Sequence, residues 1–119
     1  MPFIPIPEGL QTRICLIGEN LLGEIPRILR ETWPGDTKPV RIVADGNTWG
    51  AAGERLQGIL KEAGLSVDTP YLFPAEPPFH ADYSLVERLR EPLAGHRPIA
   101  VGSGTINDLV KRCAYELET

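Results

Sequence analysis

Two stretches of this 119-residue chain carry residue types whose spacing suits a particular chemistry. The first is AVGSGTIND, positions 100–108. Gly102 and Gly104 lack Cβ atoms, so they allow positive φ and close approach of the backbone to another group. Ser103 and Thr105 add hydroxyl donors. If a helix begins here, its first N–H groups have no partner within the helix and can face an anion. Gly102, Ser103, Gly104, Thr105 and Ile106 are therefore a candidate cradle for a pyrophosphate. The same residues also describe a plain strand-to-helix turn capped by Thr105. The dinucleotide fingerprint G-x-G-x-x-G follows a first strand. Here the stretch follows a late strand, and Asn107 holds the third glycine position. Asp108 is expected in the first helical turn, where it suits the helix dipole but repels a phosphate. Lys111, three residues on, would offset part of that charge.

The second stretch is VADGNTW, positions 43–49. A carboxylate at Asp45, at the end of a strand, can accept hydrogen bonds from both vicinal hydroxyls of a ribose. Asp-Gly is also ordinary turn chemistry. The pairing of the two stretches favours the nucleotide. In a parallel sheet, Asp45 and residues 102–106 project from one edge, and ligands of open α/β sheets bind beyond the carboxyl ends of strands.

Positioning them requires strands that alternate with helices, and the chain reads that way. RICLIG (13–18), PVRIVADG (39–46), LSVDTPYLFP (65–74, ended or interrupted near Pro70) and RPIAVG (97–102) are predicted strands. Helices are predicted over 20–33, 47–64, 81–95 and 105–118. In the first, Asn20 suits the N-cap and Pro34 follows the end. Pro26 either kinks its first turn or moves the regular start to near Ile25. In the second, Ala52, Leu56, Ile59, Leu60 and Ala63 share one face, Thr48 or Asn47 suits the start, and Gly64 suits the position past the end. In the third, Ser84 with Glu87 matches a capping box, with Asp82 as a rival cap. In the fourth, Ile106, Leu109, Val110, Cys113, Ala114 and Leu117 form an apolar stripe. The fold class is α/β: a Rossmann-like, doubly wound, mainly parallel sheet of about four strands with helices on both faces. Residues 1–12, rich in proline, read as an extended arm, and 13–119 as one nucleotide-binding domain.

Composition narrows the function classes. A net charge of −4 supplies no basic field for nucleic acid. No apolar run approaches the roughly 20 residues of a membrane span. The N-terminus lacks the pattern of a signal peptide, so a cytoplasmic location is expected. Cys15 and Cys113 lie in apolar contexts and read as buried free thiols. His80 and His96 read as isolated loop residues. Trp33 and Trp49 read as packing residues at helix ends, and Glu54, Arg55, Lys61 and Glu62 as a solvated helix face.

VADGNTWGAAGERL followed by VGSGTINDLVKRCAYELE resembles the N-terminal half of bacterial sn-glycerol-1-phosphate dehydrogenases. These belong with iron-containing alcohol dehydrogenases, glycerol dehydrogenase and dehydroquinate synthase. The resemblance covers roughly residues 10–119. It implies that Asp45 binds the adenosine ribose of NAD or NADP and that Gly102, Ser103, Gly104, Thr105 and Ile106 hold the pyrophosphate. Asp45 would repel a 2′-phosphate and so favours NAD, an effect that Arg41 or Asn47 would soften. The resemblance also implies a zinc or nickel ion, held by an Asp and two His of a C-terminal helical domain that this chain does not supply. Its substrates would be glycerol 1-phosphate and dihydroxyacetone phosphate in a full enzyme. The chain is thus expected to be a nucleotide-binding half, inactive by itself and homo-oligomeric through surface that the other domain covers. The rival readings are the corresponding half of a dehydroquinate synthase-like lyase and a non-catalytic α/β interaction module.

Overall fold

The computed structural model describes residues 21–74, 82–102 and 104–117. The expected arm 1–12, the strand 13–18, Cys15, Asn20, His80 and Ser103 lie outside the described residues.

The central strand β1 (Val40–Asp45) sets the architecture. Successive side chains of a strand point to opposite faces, and a strand covered on both faces needs apolar residues on both. Val40, Ile42 and Ala44 pack with Leu56 and Leu60 on one face. Val43 packs with the core of the other. Strands β2 (Tyr71–Phe73) and β3 (Arg97–Ala100) flank β1 in the order β2-β1-β3. Both pairings are parallel, with Asp45 opposite Phe73 and Val43 opposite Ala100. The described sheet therefore has three strands of the four expected.

Two helices cover the first face. α1 (Ile25–Thr32) follows a short 3-10 turn, Leu21–Glu24. Pro26 lies at its start, where its missing N–H costs nothing. The regular helix thus begins at Ile25, the second of the two alternatives. The region predicted as one helix, 47–64, is three pieces: α2 (Gly46–Thr48), a π turn (Trp49–Gly53) and α3 (Glu54–Glu62). A Cβ at Gly53 would lie 2.7 Å from the Trp49 ring, so only glycine lets that ring pack across the wide turn. α3 ends as expected at Gly64, with φ of 84°. The N–H groups of Gly64 and Leu65 donate to the carbonyls of Lys61 and Leu60, which is a Schellman motif.

α4 (Tyr83–Leu93) and α5 (Gly104–Leu117) cover the second face. The cap of α4 is Asp82, whose carboxylate accepts from the Ser84 N–H at 2.8 Å, so the rival cap takes the place assigned to Ser84. The predicted stripe of α5 is real: Ile106, Leu109, Val110 and Cys113 are buried against Val86, Leu89 and Leu93. Burial pushes the Cys113 thiol up and keeps it uncharged. Tyr83, Arg90 and Arg112 converge on Glu116 and tie α4 to α5. The Arg112 hydrogen bond, then that of Tyr83, holds the Glu116 carboxyl below its usual range.

The third predicted strand is much shorter than 65–74. Val67 makes one isolated bridge to Val40 and pairing resumes only at Tyr71. Pro70 lies between them and cannot donate to a ladder.

Candidate functional site

The carboxyl ends of β1 and β3 leave the sheet together. Val43 lies opposite Ala100, and the next bond, from the Val101 N–H to the Val43 carbonyl at 2.9 Å, continues the register. Two residues beyond Val43 comes Asp45, and two beyond Ala100 comes Gly102. The parallel sheet therefore brings both candidate stretches to one edge.

Asp45 ends β1 and is also the N-cap of α2. Its Oδ1 accepts from the Thr48 N–H at 2.8 Å, and the Thr48 Oγ1 accepts from the Asp45 N–H at 3.0 Å. This reciprocal capping box fixes the carboxylate's direction at the sheet edge. It also moves the cap to two residues before Asn47 and three before Thr48, the residues assigned to it from sequence. Among the described residues, no hydrogen bond uses the other oxygen, Oδ2.

The two glycines of the second stretch have different reasons to be glycine, and neither is positive φ. A Cβ on Gly102 would sit 2.6 Å from Ile106 Cδ1 and 3.3 Å from its Cβ. Gly102 is needed because the first turn of α5 packs directly on the strand end. A Cβ on Gly104 would meet nothing within 4 Å, so the space in front of that backbone is open. Ile106 is fully buried, so its side chain belongs to the core and only its N–H is available to a ligand. α5 starts at Gly104, and no acidic residue lies in its first turn. Asp108 thus falls in the second turn, beside Asp82, Tyr83 and Arg112, and not at the anion-facing end. The N–H groups of Gly104, Thr105 and Ile106, in the first turn of α5, are among those an α-helix leaves without internal partners.

The family model of iron-containing alcohol dehydrogenases matches residues 16–119, which include this whole edge. The chain belongs to the iron-containing alcohol dehydrogenase family. No curated protein matches it. Membership of the iron-containing alcohol dehydrogenases brings NAD(P) and a metal into question together. For a dinucleotide, the edge fits in kind: unpaired N–H groups, open space and a fixed carboxylate. For a metal it does not, because among the described residues no three His, Cys, Asp or Glu side chains come together. No helix among those residues is long and apolar enough to cross a membrane.

The opposite edge corrects two assignments. His96 is not isolated: its Nε2 lies 2.8 Å from Asp68 Oδ2 and its Nδ1 2.9 Å from the Ala94 carbonyl. Arg41 donates to the same Asp68 oxygen at 2.7 Å. Arg41 is therefore four residues down β1 from Asp45, about 13 Å at strand rise, and cannot soften the repulsion of a 2′-phosphate. Trp33, at the end of α1, is 37% exposed and packs with the Arg97 guanidinium 4.7 Å above its ring. Trp49 packs against the first-face core.

The Asp68 knot has a pH signature. Hydrogen bonds from His96, from the Thr69 N–H and from Arg41 pull its carboxyl down from 3.8 to about 2. A depressed folded-state value stabilises the fold above the unfolded value, and that contribution disappears as pH falls through the folded one. Asp68→Asn is expected to lower the urea midpoint near neutral pH. The gap to the native chain should close as pH drops from 3.8 toward about 2. A gap that stays constant across that window would show that the carboxylate's charge is irrelevant to the fold.

Proposed function

We propose that the carboxyl edge binds the adenosine and pyrophosphate portions of NAD, and that the chain is the dinucleotide-binding half of a metal-dependent sn-glycerol-1-phosphate dehydrogenase. One observation carries the reading: the parallel register delivers a fixed carboxylate, Asp45, and the open N-terminus of α5 to the same edge. Family membership supports the oxidoreductase class. The choice of substrate, glycerol 1-phosphate or dihydroxyacetone phosphate, rests on the resemblance of VADGNTWGAAG and GSGTINDLVK to those enzymes.

In this reading Asp45 accepts hydrogen bonds from the ribose hydroxyls through Oδ2, while its capped Oδ1 keeps the group aimed. The N–H groups of Gly104, Thr105 and Ile106 face the pyrophosphate, and the positive end of the helix dipole lies behind them. Gly102 lets the first turn of α5 pack on the strand end and so sets the helix there. The charge of Asp45 disfavours a 2′-phosphate, so NAD is preferred to NADP. The nicotinamide, when bound, supplies hydride chemistry that no side chain can. The zinc or nickel ion and its ligands belong to the helical domain of the proposed full enzyme.

Ligand-observed NMR with NAD, ADP and inorganic phosphate tests the site. One helix end and one carboxylate should give NAD a dissociation constant on the order of a millimolar, about −4 kcal/mol. Gly104→Val puts a branched side chain into the space the phosphate needs and should weaken NAD and phosphate at least roughly tenfold, equal to about 1.4 kcal/mol. Asp45→Asn keeps a capping acceptor but loses the charge, and should weaken NAD and ADP while leaving phosphate unchanged. Equal NAD binding by the native chain and Gly104→Val would reduce the stretch to a turn.

A further inference from the structure

The amino end of the sheet, opposite the nucleotide edge, carries a cavity of its own. α1 closes at Trp33, whose N–H donates to the Leu29 carbonyl, and Pro34 cannot continue the helix. Gly35, with φ of 73°, turns the chain back toward β1, and Gly64, with φ of 84°, ends α3. These two helix ends, with Val40 and Arg97 at the starts of β1 and β3, enclose about 470 Å³. Gly35 and Gly64 line this space without filling it, and a Cβ on either would meet nothing within 4 Å. Val40 and Asp45 are the two ends of β1, about 16 Å apart at strand rise, so the cavity and the candidate nucleotide edge are separate.

The walls divide by chemistry. Leu29, Leu65 and the Trp33 ring are apolar, while Arg30, Lys38 and Arg97 bring three cations against the single carboxylate of Asp36. This local excess of positive charge lies in a chain whose net charge is −4. Asp36 is already engaged: the Arg97 Nε donates to its Oδ2 at 2.6 Å, and that bond holds the carboxyl below its usual range. The same guanidinium lies 4.7 Å from the Trp33 ring centre and steadies the ring as a wall. The carbonyl ends of α1 and α3 add partial negative charge, and Arg30 meets it by donating to the Ala63 carbonyl. A guanidinium carries five N–H donors, so this bond leaves others for a ligand. We propose that the cavity binds a small amphipathic anion, an apolar body carrying one carboxylate. Arg30 holds the carboxylate in its planar fork, Lys38 adds to the attracting field, and Leu29, Leu65 and Trp33 surround the body. Mostly apolar walls with a few charged groups, around a volume of roughly 300–1,000 Å³, are the usual form of a small-molecule site. None of this depends on the dinucleotide reading.

Titration of the full chain with sodium benzoate, followed by amide NMR, tests the site, with benzyl alcohol as a neutral probe of similar shape. Benzoate should give saturable shifts at the Trp33 indole N–H and at the Gly35, Gly64 and Leu65 amides. Benzyl alcohol should bind more weakly by roughly threefold, the size expected of one partly exposed ion pair, and the difference should shrink in high salt. Arg30→Gln keeps a donor for the Ala63 carbonyl and removes the charge. It should weaken benzoate by a similar factor and leave benzyl alcohol unchanged. Equal binding of the two probes overturns the proposal, because the cavity would then be only an apolar niche. So do benzoate shifts that centre on Gly104 and Thr105 instead, or benzoate binding that Arg30→Gln does not change. The absence of saturable shifts around the cavity is equally fatal. If Arg30→Gln fails to fold, the two probes and their salt dependence on the native chain decide.

Discussion

Ile106→Ala is expected to cost about 2–5 kcal/mol of stability, the range for truncating a buried Ile to Ala. Ile106 is fully buried in the second-face core with Val43, Leu109 and Val110, and it comes only two residues after the start of α5. Truncation leaves a cavity at the point where helix and strand end meet, and neighbouring residues cannot close it because β1 is held on both faces. Urea denaturation should show a midpoint lower by one molar or more, on the scale of about 1–3 kcal/mol per molar for small domains, with an unchanged slope. The same variant should weaken phosphate binding, because the first turn of α5 loses the anchor that aims its N–H groups. A stability loss below about 1 kcal/mol would mean that the first turn is held by something other than this side chain.

Gly102→Ala is expected to destabilise by about 1–3 kcal/mol, as overpacking does, although it adds a single methyl group. The new Cβ would lie 2.6 Å from Ile106 Cδ1, with Ile106 Cβ and Cγ1 at 3.3 and 3.4 Å. A flexible side-chain end usually swings away from such a contact. Here the side chain is buried, and its Cβ, which cannot rotate away, is also close. Gly104→Ala, two residues on, meets open space and should be neutral or slightly stabilising. The decisive test is a double-mutant cycle. Gly102→Ala combined with Ile106→Ala should cost less than the sum of the two singles by about 0.5–3 kcal/mol, the size seen for contacting residues. Strict additivity would remove the contact as the reason for glycine at 102.

Local signals were legible in the sequence where one element decides its own fate. The stripe of α5 and the end of α3 at Gly64 follow from spacing alone, and with the strand–helix alternation of the chain they were enough to put Asp45 and Gly102 on one edge. The requirement at Gly102 was not legible, because it depends on how close Ile106 comes in space. The cap at Asp45 was assigned to its neighbours. Its partner Thr48 is three residues away, but the reciprocal pattern became visible only once the strand was known to end at Asp45. The Arg41–Asp68–His96 knot joins residues 27 and 28 positions apart. The tie of Glu116 to Tyr83 and Arg90 spans 33 and 26. No periodicity marks such pairs, since each member alone reads as a surface charge. The length of β2 failed for a different reason: Val67 does touch β1, but Pro70 breaks the ladder between two real contacts.

The π turn at Trp49–Gly53 acts as a phase adjuster. Its wide ring closes from the Glu54 N–H to the Trp49 carbonyl, five residues back, where an ordinary helix closes over four. The turn thus stores one residue more than a regular helix needs. Upstream, Thr48 is committed to Asp45 at the sheet edge. Downstream, Leu56 and Leu60 are committed to the core. A uniform helix would have to satisfy both commitments with one fixed 100° step per residue. The wide turn uncouples them, so the aim of the cap and the seating of α3 can change separately. A one-residue deletion between Trp49 and Gly53 is therefore expected to be absorbed within the turn, leaving the Asp45 cap and the seating of α3 in place.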